Sequence, residues 1–400
     1  MGTKSKPGFA TACVHGRKHL GKHDEDFPIR SVSTPIYMSS TFAFASAEEG
    51  AAIFDGSQQG YVYTRIGNPT VMALEKELAY LEGTDQAIAF ASGMAAISSV
   101  ILALCRPGDN LVATHCLYGG THKLLDEMVP RLGLETRFVS GTNLDAIAAA
   151  CDGRTRLIFT ESPANPTMEI VDLEALAGLA KTNGVPLVVD NTFATPYLQN
   201  PVDMGAEIIV HSATKYIGGH GDTVAGLVCG SGEFIDRLRG EYLRDLGAAI
   251  SPFNAWLLLR GLKTLPVRID RHCENATAVA QYLNYHPRVE RVAYPGLKNH
   301  PQHDLAKRQM RDFGGMLAFD VEGGRDAGRV LCNNVRLCTL AVSLGDVDTL
   351  IEHPASMTHS TYSEEQLAAA HIGPGMIRLS VGLEDADDLI EDLRQALARL

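Results

Sequence analysis

The middle of the chain alternates short apolar runs with segments of helical periodicity. Six apolar runs have the length of strands: QAIAFA (86–91), NLVATH (110–115), RLIFTES (156–162), VPLVVDN (185–191), AEIIVHS (206–212) and AGLVCG (225–230). Apolar residues recur at three- and four-residue spacing in the segments between them, at 69–81, 95–104 and 173–181. This alternation predicts an α/β fold with a mainly parallel sheet and helices on both faces. Ligands of such sheets bind at the carboxyl ends of the strands.

The pattern differs on either side of this region, which we predict to be a large domain spanning residues 63–262. Residues 1–62 are rich in Pro, Ser and Gly, with short extended candidates at 35–44, and are predicted to form an arm involved in subunit contacts. Residues 263–400 are predicted to form a smaller α+β domain. It would contain a helix at 265–284, a loop at 294–303 and the strand-forming runs GGMLAFDVEGG, RLCTLAVSLG and GMIRLSVGLED.

The composition of the chain limits the classes of molecule that it is expected to bind. The formal net charge is −12 and the pI is near 5.6, which disfavours nucleic acid and acidic membranes as partners and favours small molecules. No apolar stretch is long enough to span a membrane, and no signal peptide is recognisable at the start, so a cytoplasmic location is expected. The eight cysteines form no CxxC pair and are expected to be reduced.

Two residues at strand ends suggest carbonyl chemistry. Lys215 in HSATKYIGGHGD follows one apolar run, and its amine could form a Schiff base if it were desolvated. A lysine after a strand can equally be a solvated surface charge. Asp190 ends the preceding run, where a carboxylate needs a partner such as a protonated pyridine nitrogen. It could also be a helix N-cap.

A phosphate site is suggested at FASGMAAISS (90–99), where a strand ends and a helix begins. The backbone N–H groups of Gly93 and Met94 would point at a bound anion, although Ser92 could be only an N-cap and the glycine only a turn residue. Four further donors are candidates: Ser212, Thr214, Tyr63 and Arg65. The fingerprints GxGxxG and GxxxxGK[ST] do not occur in the expected contexts, so dinucleotides and nucleoside triphosphates are disfavoured.

Four histidines are candidate metal ligands, because His300 and His303 are close in sequence and His353 and His359 flank PASMT. Without HExxH or cysteine pairs, loop histidines are the better interpretation, and no metal is expected.

Seven motifs in unbroken order carry a resemblance to a known family: YTRIGNPT, ASGMAA, ESPANPT, VVDNTF, HSATKYIGGHGD, PASMTHS and IRLSVGLED. Together they resemble the cysteine/methionine-metabolism (trans-sulfuration) family of pyridoxal-phosphate enzymes, and most closely its methionine γ-lyases. The resemblance implies a fold-type-I, aspartate-aminotransferase-like architecture. It also implies a homotetramer, a dimer of dimers whose active sites are shared across each dimer.

The resemblance also implies roles for individual residues. Lys215 would hold the cofactor pyridoxal 5'-phosphate as a Schiff base, with Asp190 on the pyridine nitrogen. Tyr118 would stack on the ring and act as acid or base at the leaving group. The phosphate would be bound by Gly93, Met94, Ser212 and Thr214, together with Tyr63 and Arg65 of the neighbouring subunit. Arg378 would bind the substrate carboxylate, assisted by Asn165 and Ser343.

The activity implied is γ-elimination of a sulfur amino acid, with L-methionine giving methanethiol, 2-oxobutanoate and ammonia. Three positions bear on the substrate. Gly120 stands where methionine γ-lyases usually have cysteine, and Arg244 where they usually have lysine, while Val342 replaces a glutamate typical of cystathionine enzymes. Cystathionine γ-lyase or γ-synthase, O-acyl-homoserine sulfhydrylase, and a protein that binds the cofactor without catalysis stay open as alternatives.

Overall fold

The computed structural model describes residues 7–15, 31–358, 360, 367 and 371–400. A seven-stranded sheet with strand order β1-β7-β6-β5-β4-β2-β3 forms its centre. Only β7 runs antiparallel to both of its neighbours, and the other pairings are parallel. The strands of this sheet are β1 (Gln86–Phe90), β2 (Asn110–Thr114), β3 (Glu135–Val139), β4 (Thr155–Glu161), β5 (Leu187–Asp190), β6 (Ile208–His211) and β7 (Gly226–Gly230).

A second sheet of five strands, in the order β10-β11-β12-β9-β8, follows in the C-terminal part of the chain. Its pairings are antiparallel except for β10 with β11. Its strands are β8 (Val289–Ala293), β9 (Met316–Val321), β10 (Thr339–Leu340), β11 (Leu350–Glu352) and β12 (Met376–Ser380).

Helices cover both sheets. The α-helices are α1 (Phe9–His15), α2 (Ala47–Phe54), α3 (Pro69–Glu82), α4 (Gly93–Leu104), α5 (Gly119–Lys123), α6 (Leu144–Ala150), α7 (Leu173–Thr182), α8 (Thr195–Leu198), α9 (Gly232–Arg237), α10 (Arg244–Leu246), α11 (Pro252–Leu262), α12 (Leu265–Asn284), α13 (His303–Gln309), α14 (Gly324–Asn334) and α15 (Ala386–Leu397). Two π-helical segments (Leu124–Met128, Leu238–Leu243) and three 3-10 turns (Val129–Leu132, Pro201–Met204, Pro354–Ser356) complete the elements. No helix in the described part of the chain is long and apolar enough to cross a membrane.

Local sequence accounts for the helix that precedes the first strand. Asn68 caps α3 by accepting the N–H of Thr70 at 2.9 Å, and Pro69 occupies the first turn, where its missing N–H costs nothing. Gly83 ends the helix in the left-handed region with φ of 75°. The buried side of α3, which includes Leu74 and Leu78, packs beneath the sheet.

The predicted fold class is confirmed: a mainly parallel α/β sheet is followed by a smaller antiparallel one. Strands β3, β8 and β11 were not predicted, because their apolar runs are short or interrupted by charges. The extended candidates at 35–44 form no strand, and this segment contributes only the isolated bridge Thr41–Tyr63. The predicted domain boundaries at 62 and 262 stay predictions.

Candidate active site

Lys215 lies in the turn that follows β6, at the carboxyl edge of the large sheet. The turn is closed by the N–H of Lys215 donating to Ser212 O and by the N–H of Gly219 donating to Lys215 O. The Nζ atom donates to Ser343 Oγ at 3.0 Å, so the amine points into the space between the two sheets. Burial and the nearby Arg378 cation lower the pKa of Lys215. The solvated-surface interpretation of this lysine is therefore wrong.

Asp190 ends β5, the strand next to β6, and is buried. Its Oδ1 accepts the backbone N–H and the hydroxyl of Thr192, at 3.1 and 2.5 Å. Burial raises the pKa of this carboxyl, as expected for an acid that needs a cationic partner. The following helix α8 begins after Ala194, so Asp190 is not its N-cap.

The predicted phosphate-binding turn, after β1, lies beside Ser212 at the end of β6. Ser92 does cap α4, accepting the N–H of Ala95 at 3.1 Å, and the helix begins at Gly93. A side chain at Gly93 would lie 2.9 Å from Ser212 Cβ, and one at Gly226 would lie 2.1 Å from Ser92 O. These two glycines therefore bring β1, β6 and β7 into backbone contact and leave the amino end of α4 facing the site.

The two hydroxyl candidates differ in their surroundings. Ser212 lies against Gly93, and its backbone N–H donates to Thr192 Oγ1 at 2.8 Å, which connects it to Asp190. The Thr214 hydroxyl donates to Ala225 O at 3.2 Å and accepts the N–H of Ala225 at 3.0 Å. Since that proton is already used, a phosphate contact from Thr214 would require its hydroxyl to turn; its phosphate role stays a prediction.

Arg378, on β12, is buried opposite the edge that carries Lys215. Its Nη1 lies 3.2 Å from both Asn165 Oδ1 and Glu352 Oε1, and its Nη2 donates to Ser343 O at 2.7 Å. The buried Nε has no hydrogen-bond partner. The structure thus brings together three of the predicted substrate-binding residues around a guanidinium with donor capacity left for an anion.

Glu161 was missed by the sequence analysis, although it ends an apolar run just as Asp190 does. It is buried at the end of β4, in register with Asp190 on β5. Its Oε2 accepts the N–H of Tyr118 at 2.8 Å, and its Oε1 accepts the N–H of Asn165 at 2.9 Å. Burial and the Asp190 carboxylate raise its pKa. One carboxylate therefore fixes the backbones of two predicted site residues.

Tyr118 immediately precedes α5, and its half-exposed side chain lies over Gly120. A side chain at position 120 would lie 2.5 Å from the Tyr118 ring, so the glycine determines where that ring can lie. Cys116 is buried, and burial raises the pKa of its thiol to about 11. An inert thiol of this kind is a core residue rather than a site nucleophile.

Tyr63 and Arg65 lie outside this cluster. The Arg65 guanidinium lies 5.6 Å from the centre of the Tyr63 ring, and the Tyr63 side chain is exposed. Among the residues that the structure describes, neither side chain forms a hydrogen bond or an ion pair with Lys215, Gly93 or Ser212.

The histidines considered for a metal have local partners. His300 accepts the N–H of Gln302 at 3.2 Å, while His303 pairs with Pro295 O and His353 with Pro374 O. His359 lies outside the described residues. The part of the chain that the structure describes contains no group of three or more His, Cys, Asp or Glu side chains that could hold a metal ion.

This donor set fits pyridoxal phosphate. A desolvated amine is available for its aldehyde, a buried acid for its ring nitrogen, and free helix N–H groups beside Ser212 for its phosphate. The Arg378 Nε, which is buried without a hydrogen-bond partner, leaves a donor available for an anion.

Comparison with known proteins shows the family and the fold to which the chain is similar. The family model described as "Cys/Met metabolism PLP-dependent enzyme" matches residues 10–398. An L-methionine gamma-lyase of Fusobacterium nucleatum subsp. polymorphum is 51% identical over 402 residues, covering 100% of both chains. An O-succinylhomoserine sulfhydrylase of Pseudomonas aeruginosa is 45% identical, covering 91% of this chain and 90% of the relative. A crystal structure of metB from Corynebacterium glutamicum superposes with a TM-score of 0.90 at 43% identity, covering 98% of each chain.

Proposed function

Because the chain belongs to the pyridoxal-phosphate-dependent enzymes of Cys/Met metabolism, we propose that it is a carbon–sulfur lyase that converts L-methionine and water to methanethiol, 2-oxobutanoate and ammonia. The observation that carries this proposal is that Lys215 and Arg378 both bond to Ser343, while Asp190 ends the strand that pairs with the one before Lys215. Four relatives between 46% and 51% identical, over nearly their whole length, bear the name L-methionine gamma-lyase, which supports the substrate.

The predicted residues divide the cofactor contacts among them. When bound, pyridoxal phosphate withdraws electrons from the carbon that carries the substrate amine. Lys215 is the residue that would hold its aldehyde carbon, and Asp190 would face the ring nitrogen, where a carboxylate favours the protonated form. The N–H groups of Gly93 and Met94, with Ser212, would bind the phosphate at the amino end of α4.

The remaining residues would bind the substrate and move protons. Arg378, oriented by Asn165 and the carbonyl of Ser343, would hold the substrate carboxylate through N–H groups that have no protein partner. The lowered pKa of Lys215 suits an amine that removes the α-proton once it is displaced by substrate. The hydroxyl of Tyr118 would supply the proton with which the γ-thiolate leaves.

One of the three positions that bear on the substrate favours a small thioether over longer substrates. Val342 presents an apolar side chain, where an acid would be needed to pair with the distal amino group of cystathionine. Gly120, which lets the Tyr118 ring lie directly over the backbone, points the other way, because methionine γ-lyases usually have cysteine there and cystathionine-processing relatives have glycine. A sulfhydrylase or a cystathionine γ-synthase differs from a lyase because a second thiol enters after the leaving group departs, and relatives with those two names occur in the same family.

The proposal includes assembly. Tyr63 and Arg65 would complete the phosphate site of a neighbouring subunit, which is supported by the exposure of the Tyr63 side chain and by the contact between the two side chains away from Lys215. A homotetramer built from two such dimers, located in the cytoplasm, is the state that we propose for the active enzyme.

A substrate panel tests the function. Release of 2-oxo acid is measured as kcat/KM for methionine, cystathionine, cysteine and O-acetylhomoserine with sulfide, using the wild type, Lys215→Ala and the control Lys181→Ala on the solvent side of α7. Methionine should give the highest value, and only Lys215→Ala should lose both turnover and the visible absorbance of the bound cofactor. Preference for the homoserine ester with sulfide would instead identify a sulfhydrylase. Turnover that survives Lys215→Ala would refute the assignment.

A further inference from the structure

Arg378 already has an anionic partner within the protein. Glu352 on β11 stands opposite Arg378 on the neighbouring antiparallel strand β12, with Oε1 3.2 Å from Nη1. Both side chains are buried, with exposures of 2% for Glu352 and 6% for Arg378. The residue expected to bind the substrate carboxylate is therefore neutralised before any substrate arrives.

The guanidinium contacts define where a second carboxylate can bind. Of its five N–H groups, the two on Nη1 face Asn165 and Glu352, and one on Nη2 is donated to Ser343 O. This leaves one N–H on Nη2 and the N–H on Nε, which is buried without a partner. A carboxylate held by these two groups would share one cation with Glu352.

Two carboxylates on one buried cation leave a net negative charge in a poorly solvated space. In the described residues, the charged and titratable groups that act on Glu352 are Arg378 from β12, Lys215 from the turn after β6, the Thr358 hydroxyl and the Cys332 thiol of α14. The Arg378 cation is also approached by the Glu161 carboxyl of β4 and by the Tyr118 and Tyr216 hydroxyls, so the test must separate Glu352 from Glu161. The positive charge of Lys215 also interacts with the Asp346 carboxylate. The easiest way to remove the excess charge is for one carboxylate to become protonated.

We propose that Glu352 is the resident counter-ion of Arg378 and takes up a proton when a substrate carboxylate binds to the free edge of that guanidinium. It is a positioning residue, because it acts on the substrate through Arg378. Burial already raises the pKa of Glu352 in the free protein, so the bound state needs only a further shift in the same direction. The inference rests on the proposed function only in assigning the carboxylate to an amino-acid substrate.

The consequence is substrate affinity that depends on pH. Above the pKa of Glu352, carboxylate binding must include proton uptake, so the affinity falls as pH rises. It falls by up to about tenfold per pH unit until the pKa of the bound state is passed. Glu352→Gln keeps a hydrogen-bond acceptor for Arg378 but removes the competing charge, so it should bind carboxylates more tightly at alkaline pH.

Titration calorimetry tests this with 4-(methylthio)butanoate, which is methionine without its amino group and cannot react with the cofactor. The holoenzyme is titrated in two buffers of different ionisation enthalpy between about pH 6 and about pH 9, a range chosen to span the region above a raised carboxyl pKa. Wild type should take up a proton on binding, and Glu352→Gln should not. The variant should bind about tenfold more tightly at the alkaline end. Visible absorbance, recorded in parallel, identifies any proton taken up at the nitrogen of Lys215.

The control is Glu322→Gln, which removes a surface carboxylate 3.6 Å from Arg288, and it should behave as wild type. The melting temperature and cofactor absorbance of each variant verify its fold. Equal proton uptake in wild type and Glu352→Gln, or weaker binding by Glu352→Gln at every pH, would overturn the proposal. Butanoate is titrated in the same way: binding of butanoate alone counts against the thioether substrate and leaves the Glu352 result intact. Failure of both ligands to bind wild type would refute the role of the Arg378 edge.

Discussion

Lys215 and Ser343 connect the two sheets through a single hydrogen bond, from Nζ to Oγ at 3.0 Å. The backbone carbonyl of the same serine accepts from Arg378, so one residue contacts both the predicted cofactor lysine and the predicted carboxylate anchor. Any shift of the loop that carries Ser343 therefore moves both groups.

Ser343→Ala should separate these two contacts, because it removes the hydroxyl and keeps the carbonyl. One neutral hydrogen bond contributes about 1 kcal/mol, so we expect cofactor reloading of the apoenzyme to slow by about fivefold. The KM for the substrate should change less than that rate, since Arg378 keeps its carbonyl partner. Stopped-flow absorbance and steady-state kinetics on the same preparation measure the two effects. An increase in KM larger than the loss in reloading rate would contradict this division.

The rate at which apoenzyme takes up cofactor should depend on the ionisation of Lys215. Only a neutral amine attacks an aldehyde, and burial lowers the pKa of this lysine below its ordinary value of 10.5. The rate should therefore rise with pH and level off before that ordinary value is reached. Free lysine with the same aldehyde provides the reference curve. Superposition of the two pH curves would show that the amine is not desolvated.

Glu161→Gln should damage the site without unfolding the protein. The glutamine side chain has one carbonyl oxygen, so its NH2 group would face the N–H of either Tyr118 or Asn165. Leaving one buried N–H unpaired costs about 1–3 kcal/mol, so kcat/KM should fall by about tenfold to 100-fold. Glu174→Gln, at the exposed start of α7, is the matched control and should be neutral. Wild-type kcat/KM in Glu161→Gln would rule out the positioning role.

Gly226→Ala should greatly weaken cofactor binding while the protein still folds. The added methyl group would lie 2.1 Å from Ser92 O and 2.8 Å from Gly93 Cα, so the phosphate turn must move away from β7. Equilibrium titration with pyridoxal phosphate should show an affinity loss of about 100-fold or more, the effect of losing several phosphate contacts of roughly 1 kcal/mol each. Gly153→Ala, which has open space around it, is the control. Normal affinity in Gly226→Ala would mean that the turn does not bind phosphate.

His272 should contribute to loss of stability in acid. Burial lowers its pKa from 6.5 to about 4, so the unfolded chain binds a proton at a higher pH than the folded protein does. Stability from this group is complete above about pH 6.5 and is lost as pH falls towards 4, by an amount on the order of 3 kcal/mol. His272→Gln keeps a donor for Val381 O and should flatten the decline in melting temperature between these pH values. The exposed His220→Gln should leave the decline unchanged; equal declines in both variants would contradict the prediction.

The sequence predicted most of the large sheet because its strands are buried on both faces and appear as uninterrupted apolar runs. Strand β3 was not predicted because it lies at the sheet edge, where its sequence ETRFV mixes charged and apolar residues. Lys215 and Asp190 could be found because each directly follows or ends such a run.

Glu161 and Glu352 could not be found in the same way. Their importance comes from partners distant in sequence: Glu161 contacts Tyr118 across 43 residues, and Glu352 pairs with Arg378 on the next strand. A single sequence gives apolar periodicity and short motifs, but it does not show which buried acids converge. The hydrogen bond from the Thr214 hydroxyl to Ala225 O likewise depends on where β7 packs, which the sequence does not show.

The position of β7 also constrains how the protein can be made. Among the strands that the structure describes, β1 pairs with β7 alone, from Gln86 opposite Gly230 to Phe90 opposite Gly226, and Phe90 also forms an isolated bridge with Ala249. Strand β7 is synthesised about 140 residues after β1, as the paired residue numbers show. The turn after β1 therefore cannot pack in its final position until β7 has left the ribosome. Contacts between such distant segments form slowly. In a nascent or truncated chain that stops before residue 226, the proposed phosphate-binding end of α4 would lack the support of β7, so we expect cofactor capture to come late in synthesis.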